Sequence, residues 1–428
     1  MDLCTTAPAA PSASHKTDAL SRESIPDATL FTLPSADLPH IQQAVITPVV
    51  GPELNVHYST IPVRFPAPSE VVVKIAWTGV CRSDLSFSKG PLPGFAKHNH
   101  IAGHEGIGHV VASYDNSLLG RVVAARYVAG ICHKCWACLR SIPDACINQR
   151  NFPKHHDGTF QEYVTAPWTS FMPLDATGLD SDMSLDPALY TAALCSGAAA
   201  LKALRESNVR QNDVVLIFGV AGAIGHLAGM IARKVFGALV IGVDRAKKVE
   251  ALAGSVADEL FDAFVAAPEG PNDDASFAVK VNKACTDLRG GCVEPKRPDA
   301  IIMAVSSDEP YRWANLVRDG GTVACLRWVS SYGARVSFRA NQYSVLSSTT
   351  MLSVRIAELV ERQICIKGVM MGGRDESYQV MQYIRDKRIK PIITKVALRE
   401  LPGAITEMTR DAFVGKLVVA MEDCLTQP

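Results

Sequence analysis

The chain has 428 residues, 48% of them hydrophobic, enough for two buried cores and therefore two domains. Its 43 Lys and Arg balance 43 Asp and Glu, which argues against nucleic acid and against a charged partner and favours a small neutral ligand. No apolar run reaches the roughly 20 residues of a membrane helix, so no membrane partner is expected.

The opening stretch MDLCTTAPAAPSASHKTDALSRESIP lacks the basic end and apolar core of a secretory signal. It reads as a disordered arm over residues 1–40, with the cytoplasm as the expected compartment. In that compartment the twelve cysteines point to metal ligation more than to a disulfide framework. From Val71 to Val80, EVVVKIAWTGVC is β-rich, and short strand-like pieces follow at Gly108 to Ala112 and Arg121 to Val128, separated by glycines.

Next comes CHKCWACLRSIPDAC, in which Cys132, Cys135, Cys138 and Cys146 follow the spacing C-x2-C-x2-C-x7-C. A compact loop of this kind folds four thiolates around one tetrahedral zinc ion. Such a shell is closed, with no position left for water or substrate, so this zinc holds a loop together and performs no chemistry. His133 is not needed as a ligand.

After Lys202 the texture changes. VVLIF (214–218), a glycine turn, a helical pattern with Leu227, Met230, Ile231 and Val235 on one face, and ALVIGVD (238–244) form a βαβ unit. Gly219, Gly222 and Gly225 lie at the strand end and open the helix, where backbone can approach a pyrophosphate. Asp244, nineteen residues after Gly225, is placed to accept hydrogen bonds from a ribose diol. An acid there repels a 2′-phosphate and favours NAD(H) over NADP(H), although Arg245, Lys247 and Lys248 follow directly and partly compensate. The apolar runs 299–305, 321–326 and 364–370 continue a parallel sheet wound on both faces. Residues 266–298 are rich in Pro, Gly and charge and read as including a surface loop, with Cys285 and Cys292 as loop thiols. The tail from Asp375 is expected to rejoin the first domain.

A second, dispersed donor set comprises Cys81 in GVCRSD, His104 and Glu105 in AGHEG, and Cys195 in AALCSG. Each alone suits ordinary packing. Together they supply Cys2His, three protein ligands with an open fourth place, as a catalytic zinc requires.

TGVCRSDLSFSKGPLP, AGHEGIGHVV, the four-cysteine loop, HDGTFQEYV, ALCSGAAALKAL, GVAGAIG and FVGKLVV occur in this order. Through these motifs the chain resembles the zinc-dependent alcohol dehydrogenases of the medium-chain dehydrogenase/reductase superfamily, the yeast-type branch most closely. The resemblance covers residues 45 to 422 and is poor over 266–298 and 328–358, the latter exceeding the family's usual connection.

It implies an α/β chain. A GroES-like β-rich catalytic domain (41–205 and 372–428) wraps a Rossmann doubly wound parallel-sheet domain (206–371), with the active site in the cleft between them. Cys81, His104 and Cys195 become ligands of a catalytic zinc, with Glu105 beside the metal and Asp84 orienting His104. Ser83 matches the hydroxyl that takes the proton from a bound alcohol, whereas Ser86 stands where the family commonly continues the relay with histidine. Serine cannot buffer a proton near neutral pH. Arg82 matches the base on the cofactor pyrophosphate, Lys248 joins the cofactor set, and Lys416 stands where a second arginine is usual.

The implied cofactors are two Zn²⁺ per chain and NAD(H). The implied substrate is a small-molecule alcohol, aldehyde or ketone, and the implied assembly a homo-oligomer, dimer or tetramer. PLPGFAKHNH replaces the aromatic-bearing segment that narrows the family's pocket, so a wider pocket is expected, with Tyr127 at its wall and His98 and His100 in a loop. Two other readings stand beside this one: a tailoring reductase for a bulkier natural-product alcohol or carbonyl, and a non-catalytic nucleotide-binding protein with structural zinc.

Overall fold

The computed structural model describes residues 38–89, 94–174, 186–252, 254–268, 274–291, 295–305, 309–326, 356–410 and 413–421. Sequence readings on 1–37 and on most of 328–358 therefore lie outside the described residues, as does that on Cys292.

Three sheets and a small ribbon organise the chain. One sheet joins β2 (His57–Pro62), β1 (Ile41–Val49) and β4 (His98–His100) in that order. The seven-stranded sheet runs β10 (Phe171–Pro173), β6 (Val122–Ala125), β5 (Gly106–Ser113), β3 (Glu70–Val80), β18 (Lys416–Ala420) and β17 (Ile393–Ala397), with β9 (Tyr163–Pro167) also paired to β3. The ribbon pairs β7 (Val128–Gly130) with β8 (Arg150–Asn151) beside the four-cysteine loop.

The third sheet is wholly parallel, in the order β13 (Ala263–Ala266), β12 (Leu239–Asp244), β11 (Val214–Phe218), β14 (Ala300–Met303), β15 (Thr322–Cys325) and β16 (Cys365–Gly368). With β11 as first strand this is the 3-2-1-4-5-6 order of a Rossmann fold, whose direction of winding reverses between β11 and β14. All five residues of β11 are buried, as a strand covered on both faces requires.

The two large sheets belong to one compact chain trace. β18 pairs antiparallel with β3 from Leu417 opposite Val80 to Ala420 opposite Trp77, so the C-terminal strands complete the N-terminal sheet. Leu417, Val419, Val71, Val73 and Ile75 share one core, while β11, the helix Ser196–Glu206 and the helix Ala223–Lys234 share another. Among the described residues no single helix is long and apolar enough to cross a membrane.

Two readings of the sequence are corrected here. The stretch 266–298 contains the helix Asp274–Leu288, and Cys285 is fully buried against Phe277 and Val281 in the core rather than being a loop thiol. The Pro, Gly and charge that suggested a loop lie at the ends of that helix, whereas its apolar face is spaced to meet the sheet. His98 and His100 lie on a strand, not in a loop, and His100 is buried.

Candidate active site

The glycine turn is built by contact. Gly219 has φ +78°, and a Cβ there would stand 2.7 Å from the carbonyl oxygen of Ala304, just beyond β14. A Cβ on Gly225 would stand 1.9 Å from Gly219 O, so only glycine lets the helix Ala223–Lys234 begin this close to the strand. Gly222 caps that helix, and a Cβ there would stand 3.2 Å from Gly219 O. At the end of β12, Asp244 accepts the Ala221 N–H (3.0 Å) and the Arg245 N–H (2.9 Å), which points its carboxylate back at the turn. Lys248 is half-buried on the short helix that follows, and Arg82 is half-buried in the first turn of the helix Arg82–Ser88.

The four thiols of the cysteine loop are gathered within 4.8 Å of one another. Sγ separations are 3.5 Å for Cys135 to Cys138, 3.6 Å for Cys146 to Cys132 and 4.0 Å for Cys132 to Cys138. A tetrahedron with Zn–S bonds of about 2.3 Å has edges of about 3.8 Å, so these donors fit a zinc ion without rearrangement. The backbone N–H of Lys134 is the main cause that brings Cys132 down to about 6, toward the thiolate that a metal needs. Burial pushes Cys138 up to about 12.

Cys81, His104, Glu105 and Cys195 form a second cluster, their donor atoms also within 4.8 Å of one another. They arrive on three different elements. Cys81 precedes the helix Arg82–Ser88, His104 and Glu105 lead into β5, and Cys195 precedes the helix Ser196–Glu206. Asp84 ties two of these together, accepting the Cys81 N–H (2.9 Å) as a helix cap and lying 2.8 Å from His104 Nδ1. It also accepts the Gly103 N–H at 3.0 Å. This fixes the imidazole with Nδ1–H toward Asp84 and Nε2 toward the cluster.

Charge in the cluster is strongly coupled. A hydrogen bond with Cys195, helped by the nearby His104, holds Cys81 well below the usual thiol range despite burial, and the same bond pushes Cys195 well above it. Burial opposes an imidazolium, but Asp84 and Cys81 outweigh it and hold His104 above the histidine range. Glu105 is pushed up to about 7 by burial, against the pull of Lys416.

Lys416 departs from its expected place at the pyrophosphate. It is fully buried, with Nζ 2.6 Å from Glu105 Oε1, 3.2 Å from Ser196 Oγ and 3.3 Å from Val80 O. These partners occupy its three N–H bonds, and a buried carboxylate is a far stronger attractor for an ammonium than a position at the solvent edge. Ser83 and Ser86 are half-buried on the same short helix as Arg82.

The wall around the cluster is aromatic. Phe87 stacks on Phe95 (centroids 4.8 Å) and on Tyr127 (5.8 Å), while Tyr127 meets His104 edge-on at 5.7 Å. Thus PLPGFAKHNH does contribute an aromatic ring, through Phe95, which sequence reasoning passed over. It also missed Lys154, whose ammonium lies over the Phe95 ring at 5.8 Å; its position three residues before Asp157 in HDGTF was the available signal.

The alcohol dehydrogenase GroES-like domain matches residues 67–176. Alcohol dehydrogenase 1 of Emericella nidulans is 26% identical over 390 residues, covering 90% of this chain and 99% of that protein. Acetophenone reductase from Geotrichum candidum, in complex with NAD, superposes with a TM-score of 0.68 at 18% identity, over 91% of this chain and 99% of that one. The cobalt- and zinc-bound thermostable alcohol dehydrogenase from Pyrobaculum aerophilum gives a TM-score of 0.68 at 19% identity, over 89% and 100%. The chain thus carries an alcohol dehydrogenase GroES-like domain and a Rossmann sheet, and over nine-tenths of its length it is similar to curated alcohol dehydrogenases.

Proposed function

We propose that this protein is a zinc-dependent oxidoreductase that transfers a hydride between an alcohol, or the corresponding aldehyde or ketone, and NAD(H). The observation that carries the reading is the meeting of both half-sites at residues 415 and 416. Gly415 N–H donates to Ala221 O in the glycine turn (2.8 Å), and Lys416 reaches Glu105 in the metal-donor cluster. A hydride donor and a polarising centre must be neighbours, and this strand start joins them.

When bound, zinc supplies Lewis acidity toward the substrate oxygen, and the nicotinamide supplies the hydride acceptor or donor. Cys81, His104 and Cys195 would hold the ion, while Lys416 holds the Glu105 carboxylate by an ion pair and keeps a fourth place available. Asp84 keeps His104 in the tautomer that presents Nε2. Ser83 would pass the proton between the reacting hydroxyl and water, since Ser86 offers no group that buffers near neutrality. Gly219, Gly222, Gly225 and Arg82 would receive the pyrophosphate, and Asp244 the adenosine ribose, with Lys248 alongside. Cys132, Cys135, Cys138 and Cys146 would hold a second zinc that braces their lobe. A homo-oligomer, dimer or tetramer, is the assembly supported by the family resemblance.

Metal analysis together with a panel of alcohols and carbonyls, followed at the NADH and NADPH absorbance, tests the proposal. It expects two zinc ions per chain, turnover with NAD(H) above NADP(H), and loss of both turnover and one zinc in Cys81→Ser. Silence across small and bulky substrates would sink it.

A further inference from the structure

A cavity of about 300 Å³ lies between the cysteine lobe and the Rossmann side, lined among others by Tyr127, Gln149, Asn151, Lys154, His155 and Met370. Tyr127 is its link to the chemistry, because the same ring meets His104 edge-on at 5.7 Å. Met370 follows β16, so both halves of the chain contribute to the wall.

Lys154 and His155 are the donor side chains of this wall, while the Cys146 thiol, also in the lining, is buried and turned to Cys132 at 3.6 Å. Lys154 is held in place: its stem crosses Gly94, where a Cβ would stand 2.6 Å from Lys154 Cε, and its ammonium lies over the Phe95 ring. The Asn151 backbone N–H donates to His155 Nδ1 (3.1 Å), so the neutral ring carries its proton on Nε2. Burial, with Lys154 and Arg150 nearby, lowers the His155 basicity and keeps that ring neutral. The Asn151 amide donates to Gln149 Oε1 at 2.7 Å, and the Gln149 amide donates to the carbonyls of Asp144 and Cys146. No Asp or Glu lines the cavity among the described residues. A concave site one ring away from the metal donors, with a fixed ammonium, an imidazole N–H and no acid, is built for an oxyanion.

We infer that this cavity is a substrate subsite that takes a carboxylate, with Lys154 as the charge partner and His155 as a second donor. The substrate class is then an alcohol or carbonyl compound bearing an acidic group at the end remote from the reacting carbon, joined by an apolar spacer that passes the Tyr127 ring. The inference rests on the oxidoreductase reading above. It also revises the expectation of a neutral ligand, since whole-chain charge balance says nothing about a local site.

The test compares NADH-dependent reduction of 3-(4-formylphenyl)propionate with that of its methyl ester, which has nearly the same shape and no charge. The wild-type enzyme should prefer the acid by about tenfold in kcat/KM, the worth of one partly exposed charge-assisted hydrogen bond. Lys154→Ala should abolish the preference and Lys154→Glu should reverse it. Equal use of acid and ester by the wild type, or a preference that survives Lys154→Ala, overturns the subsite while ester turnover leaves the oxidoreductase reading standing. Calorimetric titration with 3-phenylpropionate reads the subsite without turnover: binding weakened about tenfold by Lys154→Ala supports it, and binding indifferent to Lys154, or absent in the wild type, overturns it. If neither aldehyde turns over, the calorimetric titration alone decides the subsite, and the oxidoreductase reading stands or falls on the substrate panel above.

Discussion

Lys416 and Glu105, 311 positions apart in sequence, form an ion pair with both side chains fully buried, Nζ lying 2.6 Å from one carboxylate oxygen and 2.5 Å from the other. The pair sits between the metal-donor cluster and the start of β18, so its integrity matters to both. Removing one partner of a buried pair leaves an uncompensated charge, at a cost of about 3 kcal/mol or more. Lys416→Met should therefore lower stability by that amount in denaturant unfolding. The double variant Lys416→Met/Glu105→Gln should recover part of it, and a strictly additive double variant would show that the pair is not coupled.

Asp84 is expected to act through His104. Asp84→Asn keeps a helix-capping side chain but loses the carboxylate that fixes the imidazole, and such partners typically govern metal affinity by 10- to 100-fold. Chelator competition should show one of the two metals released that much more readily, with the other unchanged. Equal retention of both metals would count against the assignment of His104.

The cysteine loop should behave independently of that site. Cys135→Ser should remove one zinc equivalent and expose the segment 132–146 to protease, since four thiolates at 3.5 to 4.0 Å hold little else in place without the ion. Metal content and mapped cleavage sites check this. A full metal complement in Cys135→Ser would contradict a structural ion there.

Asp244→Ala should weaken NADH binding about tenfold through loss of the diol acceptor and narrow the preference over NADPH. Asp244 also accepts the Ala221 N–H, so Asp244→Asn should retain the turn while still losing affinity. Direct titration of both cofactors by fluorescence distinguishes these outcomes.

His226 makes stability depend on pH. It is fully buried in the helix after the glycine turn, Nδ1–H donates to Gly222 O at 2.8 Å, and Nε2 has no partner among the described residues. Burial drives it down from 6.5 to about 4, with Lys416 adding repulsion. Between those two values the unfolded chain binds a proton that the folded chain does not, so stability is present above the upper value and falls as pH falls through the window. The wild type should lose about 2 kcal/mol from this group between pH 7 and pH 5. His226→Leu should lose that much less over the same interval in paired denaturant curves.

Some of this was legible in the sequence because it depends on neighbours along the chain. The spacing of Cys132, Cys135, Cys138 and Cys146 sets what one loop can ligate, and the Gly219–Gly225 turn with Asp244 follows from the geometry of one βαβ unit. The motif order carried the pairing of Cys81 and His104 with the distant Cys195. The stack of Phe95 on Phe87 was not legible, because it joins a segment read as lacking the family's aromatic to a helix eight positions earlier, a contact that depends on the path of the backbone between them. Cys285 misled in the opposite way: the loop-forming composition around it hid a helix whose inner face is core.

What the sequence alone determined, then, is which groups are on offer: two sets of Cys, His and Glu donors, a glycine turn at a strand end and an acid at the end of the next strand. Only the tertiary structure decided where the long cationic side chains spend their charge. Lys416 turns inward to Glu105, and Lys154 crosses Gly94 to stand over Phe95 at the rim of a cavity without acids. A flexible side chain goes to whichever partner the folded backbone brings within reach at low dielectric, and for Lys416 that partner lies hundreds of positions away in the chain.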